Sequence, residues 1–393
     1  MSPPRDTGRA LKLFLVAGET SGDILGAKLM RELRARQWNI QMDGVGGPMM
    51  EAEGLKSLFP MADIAVMGFL PVIKRLPTLL ERIRRTATMA ELTRPDALVI
   101  IDSPDFTHRV ARKLRARAPD IPVIDYVSPT VWAWREGRAA RMRAYIDHVL
   151  AVLPFEPAAH QRLGGPPCTY VGHPLVERLQ DLRPRPEDAL AREYERNVLL
   201  LPGSRMSEVT RLLPVFGAAA ARLAAEVPRI AFQLPVVPHV RGAVEAAVAG
   251  WPVKPELVEG EAAKWTAFRR ARAALAASGT VTLELGLAGV PMTVAYKVSP
   301  IEKLIIQTLV KVSTPVLPSL ILGEDVTPIL LQAAASPEAL AAAMLPLIEG
   351  GAEREAQLDA FRRLDLAMAV PGNNPSAAAA EIVLQTARHG RTA

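Results

Sequence analysis

Apolar residues along this chain fall into short, nearly continuous runs separated by longer stretches of helical period. In the first half the runs are Leu11 to Ala17, Ala97 to Ile101, Pro122 to Tyr126 and His148 to Leu153. In the second half they are Asn197 to Leu201, a stretch near Phe232 to Val237, one near Val253 to Val258, Ala273 to Ala277, and Met292 to Tyr296. Runs this short read as strands, and runs without alternation read as strands buried on both faces. Between them the period changes: Gly22 to Arg36 carries Leu25, Leu29 and Leu33 on one helical face. Strand and helix in alternation predict an α/β fold with doubly wound parallel sheets. At 393 residues the chain exceeds what one core usually supports, which argues for two domains. The break falls where Gly172-His173-Pro174 leads into Arg183-Pro184-Arg185-Pro186, giving domains 1–176 and 177–373. The Ala-rich tail is interrupted at Pro371-Gly372-Asn373-Asn374-Pro375. A helix over about 374–393 is expected to pack back on the first domain.

Several predicted strands end in small or polar residues. Gly18-Glu19-Thr20-Ser21-Gly22-Asp23, Asp102-Ser103-Pro104-Asp105 and Ser128-Pro129-Thr130 do so in the first half. Pro202-Gly203-Ser204-Arg205 and Ser278-Gly279-Thr280 do so in the second. Ordinary turn chemistry accounts for any one of them. Five at corresponding ends predict an interdomain cleft with ligands on both walls. The stretch Leu275 to Lys297 makes a complete strand–helix–strand unit, with a helix expected over Thr282 to Ala288 and Glu284 one turn in from Thr280. Ligands of open α/β sheets bind at such ends, against helix N-termini that favour anions, and Glu284 is suited to a ligand's hydroxyls. A phosphorylated sugar compound is one reading; a plain βαβ unit is the other. Gly203-Ser204-Arg205, before a helix expected from Ser207, would bind a diphosphate and offset the charge of a leaving nucleotide, unless it is only a capped helix with a surface arginine. Asp102, at the end of Leu98 to Ile101, is a candidate general base, with Glu19 in a similar place after the first strand. Asp105 is expected instead to cap a helix beginning at Phe106. His173 reads as a structural hinge residue.

Charge narrows the partners. Between Lys74 and Arg117 stand eleven basic residues against five acidic ones, an excess as large as the +6 of the whole chain. Such a region suits an anionic membrane, a phosphorylated substrate or nucleic acid, or is a pair of solvated Arg-rich helix faces. Aromatics are not interleaved with the charges, which argues against nucleic acid. Just upstream, Phe69, Leu70, Val72, Ile73 and Leu76 mix with Lys74 and Arg75, a pattern that fits insertion into an anionic membrane interface or a buried helix with a basic outer face. The apolar run near the N-terminus is too short for a leader and reads as the first strand; no uncharged stretch reaches bilayer-spanning length. Cys168, the single cysteine, permits no internal disulfide and no thiolate metal site. No D-x-D pair, P-loop or G-x-S-x-G elbow is present, and Gly44-Val45-Gly46-Gly47-Pro48 misses the third glycine of a dinucleotide fingerprint. The expectation is a reaction without metal or cofactor.

The same residues carry a resemblance. Val16 to Asp23, Asp102-Ser103-Pro104-Asp105-Phe106, Val127-Ser128-Pro129-Thr130-Val131-Trp132-Ala133-Trp134-Arg135, Leu153-Pro154-Phe155-Glu156, Gly172-His173-Pro174, Pro202 to Arg205 and Ser278 to Thr280 resemble the lipid A disaccharide synthase family, in order, from about Leu11 to Gln332. The resemblance implies a GT-B glycosyltransferase with two Rossmann-like domains. It implies transfer of diacylglucosamine from UDP-2,3-diacylglucosamine to the 6-hydroxyl of 2,3-diacylglucosamine 1-phosphate. The place would be the cytoplasmic face of the inner membrane of Gram-negative bacteria, and no metal would take part. It puts the family's essential aspartate on Asp102, its acceptor-side loop on Gly18 to Asp23, its phosphate-side arginine on Arg205, and its nucleotide segment on Ser278, Gly279, Thr280 and Glu284. The chain departs from the family pattern at Pro318-Ser319-Leu320 and at Pro328-Ile329-Leu330-Leu331-Gln332. Rival readings are a 2-epimerase or cell-wall glycosyltransferase using UDP-GlcNAc, or a non-catalytic binder of nucleotide sugars or acyl lipids. Oligomeric state is not legible.

Overall fold

The computed structural model describes residues 9–64, 75–299, 302 and 314–391. The chain forms two compact units, one of residues 1–176 and 370–393, the other of residues 177–369. The first unit carries strands β1 (Leu11–Ala17), β2 (Ile40–Val45), β3 (Ala97–Ile101), β4 (Val123–Tyr126), β5 (His148–Ala151) and β6 (Cys168–Tyr170). Its helices are α1 (Thr20–Arg36), α2 (Pro48–Ala52), α3 (Leu76–Thr93), α4 (Pro104–Arg117), α5 (Gly137–Met142) and α6 (Glu156–Arg162). The strands lie in the order β2-β1-β3-β4-β5-β6, all parallel. All of β3 is buried, as its unbroken apolar sequence requires of a central strand covered on both faces. Phe14, Val16, Leu98, Ile100, Val110 and Leu114 meet in one core under α3 and α4, and burying each large side chain contributes about 1.5–3 kcal/mol.

The second unit repeats the plan with β7 (Arg196–Leu201), β8 (Ile230–Val236), β9 (Glu256–Glu259), β10 (Ala273–Ala277), β11 (Met292–Tyr296) and β12 (Ile329–Leu331). Its helices are α7 (Leu179–Leu182), α8 (Pro186–Tyr194), α9 (Met206–Glu226), α10 (Arg241–Ala249), α11 (Glu261–Arg270), α12 (Thr280–Leu287), α13 (Leu317–Leu322), α14 (Pro337–Glu349) and α15 (Ala352–Met368). The sheet order is β12-β11-β10-β7-β8-β9. A last helix, α16 (Pro375–His389), belongs to the first unit and packs on α1. Asn374 caps it, its side chain accepting from the Ala377 N–H while its amide donates to Glu32 of α1.

A half-buried arginine braces the second unit. Arg192 of α8 donates to the carbonyls of Phe268 and Arg269 at the end of α11, and of Ala288 and Gly289 after α12. It thereby satisfies the last carbonyls of two helices at once. Burial, and then the charge of Arg354, push its pKa down to about 10. It remains a cation at neutral pH.

The strongly basic stretch is less one-sided in the fold than in the sequence. Arg82 pairs with Asp63 and Glu81, Arg94 with Asp120, Arg115 with Asp147, and Arg117 with Glu91.

Candidate active site

In the first sheet the chain leaves β1 toward β2 on one side, while β3 lies on the other. Ala17 and Ile101 are register partners, so the loops after β1 and β3 start level and part company. That divergence opens a crevice at the sheet's switch point. Small residues are required there: a Cβ on Gly18 would lie 2.6 Å from the Cβ of Ser103, and one on Gly22 would lie 2.9 Å from the Ile101 carbonyl. Into this crevice come Glu19 and Asp102. Asp102 stands at φ +55° and Ser103 at φ +47°, two successive residues in the left-handed region, a conformation that costs about 1–3 kcal/mol each. Ser21 Oγ donates to Asp102 Oδ2 at 2.6 Å, and the Ser103 N–H donates to Oδ1 at 2.7 Å. Glu19 is exposed, just before the first turn of α1. Partial burial among its neighbours raises its pKa first, and the charges of Asp102 and Asp105 add to the rise against a hydrogen bond from Ser103.

Two expectations for this loop fail. Asp23 does not face the crevice: it is buried, and its carboxylate accepts from the N–H groups of Gly47, Met49 and Met50. It caps α2 from outside and pins the loop after β2. Asp105 is not the cap of a helix from Phe106; α4 starts at Pro104 with Ser103 before it, and Asp105 lies in the exposed first turn. Proline fits that first position because it has no N–H to leave unpaired.

The second sheet has its switch point between β7 and β10, whose partners Leu201 and Ala276 set the two exits nearly level. There a cavity of about 630 Å³ is lined by Gly203, Ser204, Arg205, Ser278, Gly279, Thr280 and Glu284 among others. Two helix N-termini border it. Helix α9 starts at Met206 and α12 at Thr280, each a little earlier than the apolar pattern suggests. Gly203 stands at φ +104°, and a Cβ there would meet Glu208 Oε2 at 2.3 Å. Arg205, mostly exposed, donates to Glu208 Oε1 at 3.1 Å, and its N–H donates to Oε2 at 3.3 Å. Ser278 is turned toward structure, its hydroxyl donating to the Pro315 carbonyl at 2.7 Å. Glu284 is not alone either: Lys264 Nζ of α11 pairs with its Oε2 at 2.7 Å. Glu208, Lys264 and His239 (whose Nε2 lies 2.7 Å from the Ser204 carbonyl) belong to this edge and were not singled out from sequence. The spacing of Arg205 and Glu208, N-cap and third helical position, is the one local signal among them.

A family model described as lipid-A-disaccharide synthetase matches residues 13–383. The lipid-A-disaccharide synthase of Bradyrhizobium diazoefficiens is 52% identical over 393 residues, the full length of both chains. That of Rhodospirillum centenum is 44% identical over 382 residues, 96% of this chain and 94% of the relative. The chain belongs to the lipid-A-disaccharide synthase family. It is thus a glycosyltransferase of lipid A biosynthesis.

Solved structures place the fold. A UDP-GlcNAc 2-epimerase from Neisseria meningitidis, bound to UDP-GlcNAc, superposes with a TM-score of 0.62 at 12% identity, covering 96% of this chain and 99% of that one. MurG from Acinetobacter baumannii superposes with a TM-score of 0.56 at 16% identity, covering 95% and 99%. The architecture is the GT-B type expected for the lipid-A-disaccharide synthase family.

Other residues singled out from sequence have plainer places. His173 is half-buried, its Nδ1 accepts from the Leu175 N–H at 3.2 Å, and desolvation pushes its pKa down to about 4, so it is neutral at physiological pH. Ser319, where the chain departs from the family pattern, is buried and accepts from the Val326 N–H at 3.2 Å. Of the apolar and basic patch, Phe69, Leu70, Val72, Ile73 and Lys74 lie outside the described residues. Arg75 precedes α3 and donates to the Ala62 carbonyl, and Leu76 is exposed. Among the described residues no helix is long and apolar enough to cross a membrane, and no group of three His, Cys, Asp or Glu is placed to hold a metal ion.

Proposed function

We propose that the chain transfers 2,3-diacylglucosamine from UDP-2,3-diacylglucosamine to the 6-hydroxyl of 2,3-diacylglucosamine 1-phosphate, with inversion and without a metal. The products are the β-1,6-linked disaccharide 1-phosphate and UDP. The observation that carries this reading is the Glu19–Asp102 carboxylate pair at the switch point of the first unit. An alcohol attacking a sugar carbon needs a base, and two adjoining carboxylates raise the proton affinity of one of them. From sequence Asp102 ranks first as base. We assign that role to Glu19 instead, because it is exposed and held above the usual carboxylate range, whereas both oxygens of Asp102 already accept hydrogen bonds. In the proposed step Glu19 takes the proton of the acceptor hydroxyl as its oxygen bonds to the anomeric carbon. The bond from that carbon to the diphosphate oxygen breaks, and its electron pair leaves with UDP.

The second unit is assigned the donor. Arg205 and the N–H groups that open α9 and α12 offset the diphosphate charge, Gly203 and Gly279 let the backbone come close, and Glu284 accepts from ribose hydroxyls. The nucleotide sugar held by the Neisseria neighbour supports a UDP-linked donor. Both substrates are acylated, so the reaction belongs at a membrane surface. We assign the cytoplasmic face of the inner membrane, with Phe69 to Leu76 as the contact.

The test is to incubate purified protein with both acylated substrates in detergent micelles and detect disaccharide 1-phosphate and UDP by mass spectrometry. Wild type should make both products, and Glu19→Gln and Asp102→Ala should make little. Absence of product from wild type, or full activity in both variants, would falsify the reading. Turnover of unacylated UDP-GlcNAc alone would favour an epimerase.

A further inference from the structure

One buried carboxylate in the first unit has no part in the proposed chemistry yet joins two loops at the edge where that chemistry sits. Glu156 opens α6 and is 2% exposed. Its Oε2 accepts from the Val152 N–H at 3.1 Å and from the Leu153 N–H at 3.0 Å, at the end of β5. Its Oε1 accepts from Trp132 Nε1 at 3.1 Å, in the loop that follows β4. Beside it the Trp132 ring meets Phe155 edge-on at 4.9 Å, and the Ser128 hydroxyl lies 2.8 Å from His160 Nε2. The loop so held is strained at its start: Val127, a β-branched residue, stands at φ +80°. Held in place, it walls a recess of about 90 Å³ against the first turn of α4, three residues from Asp102. Asp105, Thr130, Trp134, Arg135 and Arg138 line that recess. Arg135 lies over the Trp134 ring at 4.2 Å, and Arg138 donates to the Pro104 carbonyl at 3.3 Å. Two guanidinium groups there suit an anionic group on the acceptor.

We propose that Glu156 is a positioning residue for the acceptor: by accepting from both loops it holds the 127–135 segment, and with it Arg135, in the shape that receives the acceptor's phosphate. This rests on the reading that the first unit takes the acceptor. Both oxygens are occupied by N–H donors, so the arrangement needs the carboxylate; a protonated Glu156 turns a donor toward a donor. Burial raises its pKa to about 7 against the lowering effect of those same donors. The ionisable groups around it are Asp125 on β4, whose charge adds to the rise, Cys168 and Tyr170 on β6, and His160 on α6 itself, which burial holds below the usual histidine range. The carboxylate is therefore present above about pH 7 and is lost as pH falls through that value.

The experiment measures KM for each substrate against pH in wild type, Glu156→Gln and Trp132→Phe. In wild type, KM for the acceptor should rise as pH drops below 7. In Glu156→Gln it should be raised about tenfold at every pH, the scale of one lost hydrogen bond to a charged group, with KM for the donor unchanged. Trp132→Phe, which keeps the carboxylate and removes one donor, should move the same way by less. Wild-type acceptor KM in both variants overturns the proposal. So does a joint rise of both KM values with a lowered melting temperature, which marks a structural role only. If instead the acceptor is not bound by the first unit at all, Glu19→Gln also leaves the reaction intact, which separates that failure from this one.

Discussion

The two switch points occupy the same topological place in two similar parallel sheets, yet they are built to opposite ends. At β1 and β3 the glycines serve close approach: Gly18 and Gly22 clear Ser103 and Ile101, beside two carboxylates, Glu19 and Asp102, that feel each other's charge. At β7 and β10 both glycines stand at positive φ, Gly203 at +104° and Gly279 at +140°, and Gly203 also leaves room for Glu208. There the space is bordered by two helix N-termini and by Arg205 and Lys264, each paired with a carboxylate of the same lining, Glu208 and Glu284. Topology decides where a ligand can bind. The loops decide which charge it meets, so on the proposed reading one edge removes a proton and the other holds an anion.

The comparison breaks most sharply at the carboxylates. Glu19→Gln should lower kcat by about 10²–10⁴-fold, the usual contribution of a general base. Asp102→Asn removes a charge that raises the pKa of Glu19. A base must be deprotonated to act, so activity rises with pH through the raised pKa of Glu19. Without the charge of Asp102 that acid limb should move to lower pH. A limb that vanishes in Asp102→Asn while Glu19→Gln keeps it would return the base to Asp102.

On the anion side the expected loss is smaller. Arg205→Ala should cost about 10²–10³-fold in kcat, in line with losing one preorganised group that meets developing charge, and Arg205→Lys should recover only part of it because a point charge cannot reproduce a fork. Glu208 sharpens the point. Its oxygens hold the Arg205 guanidinium and N–H, the groups that a diphosphate would use. Glu208→Gln should therefore tighten UDP binding, read by calorimetry, while slightly destabilising α9. Weaker binding would mean that Glu208 orients Arg205 rather than competing for it.

What the sequence showed was the position of each edge, because a buried parallel strand is an uninterrupted apolar run and its end is where the run stops. Ala97 to Ile101 and Ala273 to Ala277 are both legible in that way, and Asp102 and Ser278 follow directly from them. What it could not show was pairing over distance. Asp23 reads as one more polar residue in a glycine-rich loop until the loop after β2, 24 to 27 residues on, turns its N–H groups toward it. Arg192 carries no local signal at all, because the two helix ends that it ties lie 76 to 97 residues away. Asp105 failed for a local reason: Pro104 already starts the helix, and a proline in the first turn is a stronger signal than an aspartate after it.

Lys264 gives the smallest effect and the finest test of the contrast. It is a cation among groups assigned to an anionic ligand, so it could meet the diphosphate directly. Its position says otherwise. Nζ lies 2.7 Å from Glu284 Oε2, 4.4 Å from the Trp265 ring centroid and 5.3 Å from that of Phe268. The ammonium is thus held by a carboxylate and two ring faces on α11, whose end Arg192 ties to the end of α12. In that setting, on the proposed reading, it aims Glu284 at the ribose. Lys264→Met keeps the stem's packing and removes the charge. It should raise KM for the donor severalfold, about the 1 kcal/mol of a part-buried ion pair, and leave kcat near wild type. A diphosphate ligand would behave differently, because charge that grows in the transition state makes its loss appear in kcat. Kinetics with a deoxyribose donor then complete the case: without the 2′-hydroxyl, wild type and Lys264→Met should bind donor alike, and a difference that persists assigns Lys264 to the phosphates.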